Sequence, residues 1–364
     1  MKKFILLILS LGIFSCGSTK KLDNSSIKLS YLDDFVLPQN LEVNGSLVGG
    51  LSGIDYHQRD YYLVCDQPSN PRIYKAKIPF TNRSIDTVII TEAIYLNKED
   101  AFYKEHTPDL EGIRFDAESK SLILSSEGSI QNAKDPSVFN ISTEGNFIST
   151  YEIPEYFKAF GEQKPRNNGV FEGIARSSDK TGYWVAMELP LEKDGPKPKI
   201  YPTNSPVRIT KFNKQSMLPV SQFAYKLDRI SKLPINWFAV NGVTEILEYA
   251  EDKFLVLERA YSAGYGSNGN TVRIYDVDAS KASNTLEIEN LKKADYQEAE
   301  KRLIFDFKSI KNFLNQEIID NIEGMSFGPE LPNGKKSLIL VSDDNFSSFS
   351  KQITQFILLE LEID

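Results

Sequence analysis

The chain is poor in the residue types that most often mark zinc centres and nucleophilic sites. It has two histidines, His57 and His106, and two cysteines, Cys16 and Cys65. That excludes a His-rich zinc centre and removes most of the support for a Ser-His-Asp triad. A disulfide framework is excluded as well, and Cys65, at the end of the apolar run YYLVC, reads as a small buried hydrophobe. Positive charge is short: 42 Lys and Arg against 50 Asp and Glu give a net charge of −8, which argues against a nucleic-acid partner. The P-loop is missing. GYGSNG at 264–269 spells GxGxxG, but a strand follows it instead of a helix, so it reads as a rim loop. No apolar run is long enough for a permanent membrane span.

The first residues, MKKFILLILSLGIFSCGSTKK, have a distinct pattern. Lys2 and Lys3 precede a short apolar stretch that ends in Ile13-Phe14-Ser15-Cys16, which looks like a bacterial lipobox. We expect residues 1–15 to be a lipoprotein signal peptide, Cys16 to be lipidated, and residues 16–27 to form a polar tether. The folded domain is expected over 28–364, held at the cell envelope by its lipid, at the outer membrane, as a monomer.

What the chain does have is a repeat. GGLSGIDYHQRDYYLVCDQ from 49 is echoed by DLEGIRFDAESKSLILSSEGS from 109 and VFEGIARSSDKTGYWVAMELP from 170. GVTEILEYAEDKFLVLERAYS from 242 and NIEGMSFGPELPNGKKSLILVSDDN from 321 complete the series. Each copy opens with a short apolar run, turns, and continues into a strand-like run that ends in an acid. Further alternating runs follow, such as PRIYKAKIP, SVFNIST and PVRITKFN. Four strands per repeat indicate an all-β chain folded as a single β-propeller, with five blades and room for a sixth. The last repeat lacks a fourth strand, which KLSYLDDFVLP near the N-terminus supplies, closing the ring. Short helical insertions are expected around 290–320: a strand and a charged helix, then the strand RLIFDF, then a second helix.

A position repeated in every blade occupies the same place around the axis. The first recurring position is Ser52, Glu111, Glu172, Glu245 and Glu323; the second is Asp66, Glu127, Glu188, Glu258 and the pair Asp343/Asp344. These acids are expected to ring one mouth of the central channel. Clustered carboxylates repel one another, and a hard divalent cation, Ca2+ before Mg2+, relieves the repulsion. Glu111, Glu172, Glu323 and Asp343 are the expected metal ligands, with Glu172 and Glu323 as catalytic carboxylates. Asp66, Glu127, Glu188, Glu245, Glu258 and Arg176 are candidates for substrate binding. Alternation places Arg259 on the face opposite Glu258 and argues against Arg114 joining Glu111.

The phrases GLSGID, DLEGI, SSEGS, FEGIA, LERA and DNIEGMSFGP with SDDN resemble the bacterial phytase-like domain family, named for the esterase-like activity of phytase. The resemblance runs over roughly 45–364 and departs from the family pattern at CDQP, where an SDDR-like ending would bring another acid and an arginine. It implies a propeller whose Glu and Asp residues carry phosphoesterase or esterase chemistry on a small-molecule ester. The competing reading is a non-catalytic propeller that holds a glycan, peptide or envelope protein.

Overall fold

The computed structural model describes residues 27–81, 83–347 and 351–363. Cys16, the signal peptide and all but the last residue of the tether lie outside the described residues.

Alternating β-branched and aromatic residues build five four-stranded antiparallel sheets, arranged as the blades of a propeller. The inner strands are Leu51–His57, Leu110–Asp116, Phe171–Arg176, Ala239–Ala250 and Asn321–Phe327, and each packs against the inner strands of its neighbours around the axis. In the fifth blade, Ile27–Val36 pairs antiparallel with Gln355–Ile363, setting Leu29 opposite Leu361 and Phe35 opposite Phe356. The ring is therefore closed by the N-terminal strand, as expected.

The apolar cores lie between blades. In the second blade, Leu122 and Leu124 pack toward Val64 and Ile73 of the first, while Ile123 on the same strand packs toward the third. A blade flanked on both faces buries both parities of its middle strands. This is why SLIL and KFLVL read as nearly continuous apolar runs. Each such side chain contributes roughly 1.5–3 kcal/mol when fully buried.

The stretch 286–320 forms no sixth blade. It supplies Glu300–Asp306 as the fourth strand of the fourth blade. The expected strand at its start and the charged helix after it do not form; LKKADYQEAE lacks an apolar stripe to dock a helix. Instead there are 3-10 turns at Leu291–Lys293, Phe307–Phe313 and Asn315–Glu317, the second capped by the Asp306 carboxylate accepting from Lys308 N.

The pairing of the first two strands slips at the same point in every blade. The slips fall at Leu51/Gly53, Leu110/Gly112, Phe171/Ile174, Val243/Glu245 and Ile322/Gly324. A bulge of this kind re-aims a side chain. The bulged residues are Ser52, Glu111, Glu172, Thr244 and Glu323. Thr244, not Glu245, is thus the fourth-blade counterpart of the three glutamates, and Glu245 stands in the place that the other blades give to glycine. Those glycines let inner strands touch: a Cβ on Gly53 would lie 2.4 Å from the Glu111 carbonyl oxygen, and one on Gly112 would lie 2.7 Å from that of Glu172.

Candidate functional site

The second recurring position is displaced in the same way. Leu51, Leu110, Phe171, Val243 and Ile322 pair with Cys65, Ser126, Met187, Glu258 and Ser342. The residues that follow these partners are Asp66, Glu127, Glu188, Arg259 and Asp343. Four blades place an acid there and the fourth places an arginine. Alternation does set Glu258 and Arg259 on opposite faces, but Arg259 is the one that faces the mouth. Glu258 is turned between blades, where it accepts from Asn241 Nδ2 at 2.7 Å and pairs with Lys301 at 2.7 Å.

Most residues of the two positions converge on a cavity of about 630 Å3 at one end of the axis, whereas Ser52, Thr244 and Glu127 do not line it. Asp66, Glu111, Glu172, Glu188, Asp320, Glu323 and Asp343 line it, and the only cations among its described lining residues are Lys197 and Arg259. One carboxylate oxygen each from Asp66, Asp109 and Glu111 lie within 4.8 Å of one another, as do oxygens from Glu111, Glu127 and Glu172. Glu111 belongs to both groups.

Glu111 and Glu172 are 9% and 7% exposed, and neither carboxylate receives a hydrogen bond from a described residue. Burial, and after it the charge of Glu172, drives the Glu111 carboxyl well above its ordinary range. Glu172 is raised likewise by burial and by Glu127, Glu188 and Glu323. Burial and a carboxyl–carboxylate hydrogen bond with Asp109 push Asp66 up to about 8. Glu127 also reaches about 8, chiefly through burial, although its Oε1 accepts from Gly169 N at 2.6 Å and Val170 N at 2.7 Å. Burial holds Glu188 and Glu323 at about 7, with Arg259 pulling both down. Asp343 is raised well above its usual range by burial, then by Glu323 and Asp66, while its Oδ1 accepts from Asn345 N at 2.7 Å.

Arg259 Nη2 lies 2.7 Å from Glu323 Oε1 and 3.8 Å from Glu188 Oε1, and its buried Nε has no partner. Asn321 Nδ2 donates to the same Glu323 Oε1 at 3.0 Å, so Glu323 is held from one side.

Other residues singled out in the sequence lie elsewhere. Glu245 is buried on the axis against Arg114. Arg176 is at the far end of its strand, where it pairs with Asp55 and donates to the Phe115 carbonyl oxygen. Asp344 holds a turn, accepting from Gly50 N at 2.9 Å and Phe346 N at 3.1 Å. None of Glu245, Glu258, Arg176 and Asp344 lines the acidic cavity. Conversely, Asp109 and Asp320 belong to the site without having been singled out, although the D of DLEGI and of DNIEG stands just before each key glutamate.

An all-oxygen donor set with two buried, unpartnered carboxylates suits a hard divalent cation: charge neutralisation removes the repulsion that burial magnifies. The donors present therefore fit such an ion.

Residues 46–346 match the family described as phytase-like, esterase-like activity of phytase. No curated protein matches the chain. Among solved structures the chain is similar to the glutaminyl cyclase of Myxococcus xanthus, at 8% identity over 93% of this chain and 98% of that one, TM-score 0.41. It is also similar to a glycosyl hydrolase from Bacteroides ovatus, at 9% identity over 85% and 83%, TM-score 0.45. A third is the major Malassezia sympodialis allergen Mala s 1, at 10% identity over 90% and 82%, TM-score 0.42.

Proposed function

As the chain belongs to the phytase-like family, we propose that the acid-lined mouth is the working site of a hydrolase acting on phosphoric or carboxylic esters with the help of a divalent cation, Ca2+ by preference. The observation that carries this reading is Glu111: buried, without a donor, and common to two groups of converging carboxylates. The two groups that share Glu111, one with Asp66 and Asp109 and the other with Glu127 and Glu172, would hold such an ion. When bound, a divalent cation supplies Lewis-acid polarisation of an ester oxygen and acidifies water.

The remaining chemistry belongs to the chain. Arg259 faces the cavity with an unpartnered Nε and takes the anionic side of an ester, a guanidinium being suited to phosphate and carboxylate oxygens. Glu323 acts as general base. Arg259 and Asn321 both donate to its Oε1, which orients the group and leaves Oε2 for the proton. Glu323 and Asn321 stand on the inner strand of the fifth blade and Arg259 on the second strand of the fourth, Lys253–Ser262, and these strands pack against one another, so the site is preorganised on a rigid frame.

A screen of purified protein over phosphomonoesters, phosphodiesters and carboxyl esters tests the reading. Turnover should disappear with a chelator, return with Ca2+, and be lost in Glu323→Gln. A protein that binds Ca2+ but turns over no ester would favour the second reading, a non-catalytic binding propeller. That reading is supported by the rim, where Phe238 and Tyr261 line the mouth and the neighbouring Trp237 is 97% exposed, a surface suited to a ring-shaped ligand such as a sugar.

The same proposal places the protein at the cell envelope through lipidated Cys16. Ile27 pairs with Ile363 at the end of the fifth blade opposite Asp343, so an anchor there would turn the mouth away from the membrane. Cys16→Ala should move the protein from the membrane to the soluble fraction; unchanged membrane retention would refute the anchor.

A further inference from the structure

Beside the acidic mouth is a second cleft, of about 480 Å3, with the opposite character. Lys232, Arg273, Lys308 and Lys311 line it, with Asp306 as the only carboxylate among its described lining residues. Asp306 is already engaged: it accepts from Arg273 Nε at 3.0 Å and from Lys308 N at 2.9 Å. The three lysines therefore stand without a carboxylate partner among the described residues, in a chain whose net charge is −8.

Two of these lysines do not sway freely in solvent. Lys232 donates to the Asn268 carbonyl oxygen, and Lys311 Nζ donates to Asn268 Oδ1 at 2.7 Å. Both are drawn onto one residue of the 264–269 loop, at a cost in side-chain entropy and in mutual repulsion. Burial, then Lys311 and Lys308, lower the Lys232 ammonium below its ordinary value. Like charges held together against a wall are relieved by an anion placed among them.

A second observation points to a ligand in the same place. Asn270 lines both this cleft and the acidic mouth. It is 8% exposed, its Oδ1 is buried without a partner, and its side-chain amide bonds to no described residue. A buried amide oxygen left unpaired costs free energy that a hydrogen bond donated by a ligand hydroxyl would offset.

We propose that this cleft is an oxyanion site of the phosphate class, in which Lys232, Lys308 and Lys311 receive the oxygens of a hydrogen phosphate dianion and Asn270 Oδ1 accepts from its P–OH on the side shared with the mouth. The site goes beyond the ester chemistry proposed for the mouth and stands whether or not that chemistry occurs.

The test is titration of chelator-treated whole protein with inorganic phosphate at constant ionic strength, by calorimetry, with sulfate and acetate as comparators. Lys308→Ala/Lys311→Ala removes two ammonium groups, one from an exposed side chain and one from a half-buried one, so the fold should persist, as near-UV circular dichroism would verify. Phosphate affinity should fall at least roughly tenfold in that variant, which corresponds to about 1.4 kcal/mol. Ca2+ binding in phosphate-free buffer should stay unchanged, since neither lysine lines the mouth. The proposal is overturned if wild type binds no phosphate, if acetate binds as tightly, or if the double variant binds phosphate as wild type does. That last result would put the anion on Arg259 instead.

Discussion

Arg114 and Glu245 form an ion pair of 3.1 Å at the centre of the propeller, with side chains 0% and 1% exposed. Arg114 donates to the carbonyl oxygens of Ile54 at 2.9 Å, Ile113 at 2.6 Å, Ile246 at 3.2 Å and Met325 at 3.4 Å. Glu245 Oε1 accepts from the Ile174 and Ile246 amides, each at 2.9 Å. One pair thus reaches the inner strands of all five blades. Glu245 can sit there because Gly173 has no Cβ; one added would lie 2.8 Å from its carboxylate oxygen.

Removing one partner should leave an uncompensated buried charge. Arg114→Met is expected to cost about 3–5 kcal/mol, and Arg114→Met/Glu245→Leu much less, because breaking such a pair is worse than replacing it. Denaturant unfolding measures both. A loss below about 1 kcal/mol in the single variant would mean the pair is not holding the ring.

The carboxylates of the mouth should differ in their effect on cation binding. Glu111→Gln should abolish the stabilisation by Ca2+, whereas Glu323→Gln should only weaken it, because Glu111 belongs to both acid groups and Glu323 is paired with Arg259. For the wild type, a hundredfold excess over Kd should add roughly 2.7 kcal/mol. Thermal unfolding with Ca2+ or chelator reads this directly, and equal behaviour of the two variants would refute the assignment.

The chelated protein should lose stability as pH rises from about 5 to 8. Asp66 and Glu127 at about 8, and Glu188 and Glu323 at about 7, hold their protons more tightly folded than unfolded. Their contribution is fully present below the unfolded carboxyl range and is lost as pH climbs through the folded values. Asp60, Asp116 and Asp179, whose values are lowered by lysine pairs and hydrogen bonds, act in the opposite sense and only at more acidic pH. Ca2+ should flatten the decline, since it binds the deprotonated carboxylates. A Tm that is level or rising over this interval without Ca2+ would contradict the picture.

Gly53→Ala should destabilise by about 1–3 kcal/mol, the usual cost of overpacking, because its Cβ meets a backbone oxygen that cannot swing aside. The strand pushed back carries Glu111, so Ca2+ affinity should fall as well. Calorimetric unfolding and Ca2+ titration on the same sample check both.

Deleting residues 27–36 should expose the Gln355–Ile363 edge, now covered by that strand. Aggregation on size-exclusion chromatography or loss of cooperative unfolding is expected. A monomer of unchanged stability would rule out a closing role for the strand.

The five-blade architecture and its closure were legible in the sequence, because period-2 alternation and repeated turns are local properties of a strand. Glu111, Glu172 and Glu323 were legible for the same reason: each stands between an apolar residue and a glycine, and the bulge re-aims it wherever that phrase occurs. In GVTEILEY and VLERA the letters invite an alignment on the glutamates, and only the strand register shows it to be one residue off. With a side-chain period of two, a one-residue slip exchanges the faces of a strand. That exchange sends Glu245 to the axis and Glu258 between blades, and brings Arg259 into the mouth. The partners that make these positions tolerable, Arg114 for Glu245 and Glu323 for Arg259, come from other blades. Their pairing is a property of the closed ring, in which distant segments share one low-dielectric centre, and no single repeat contains it.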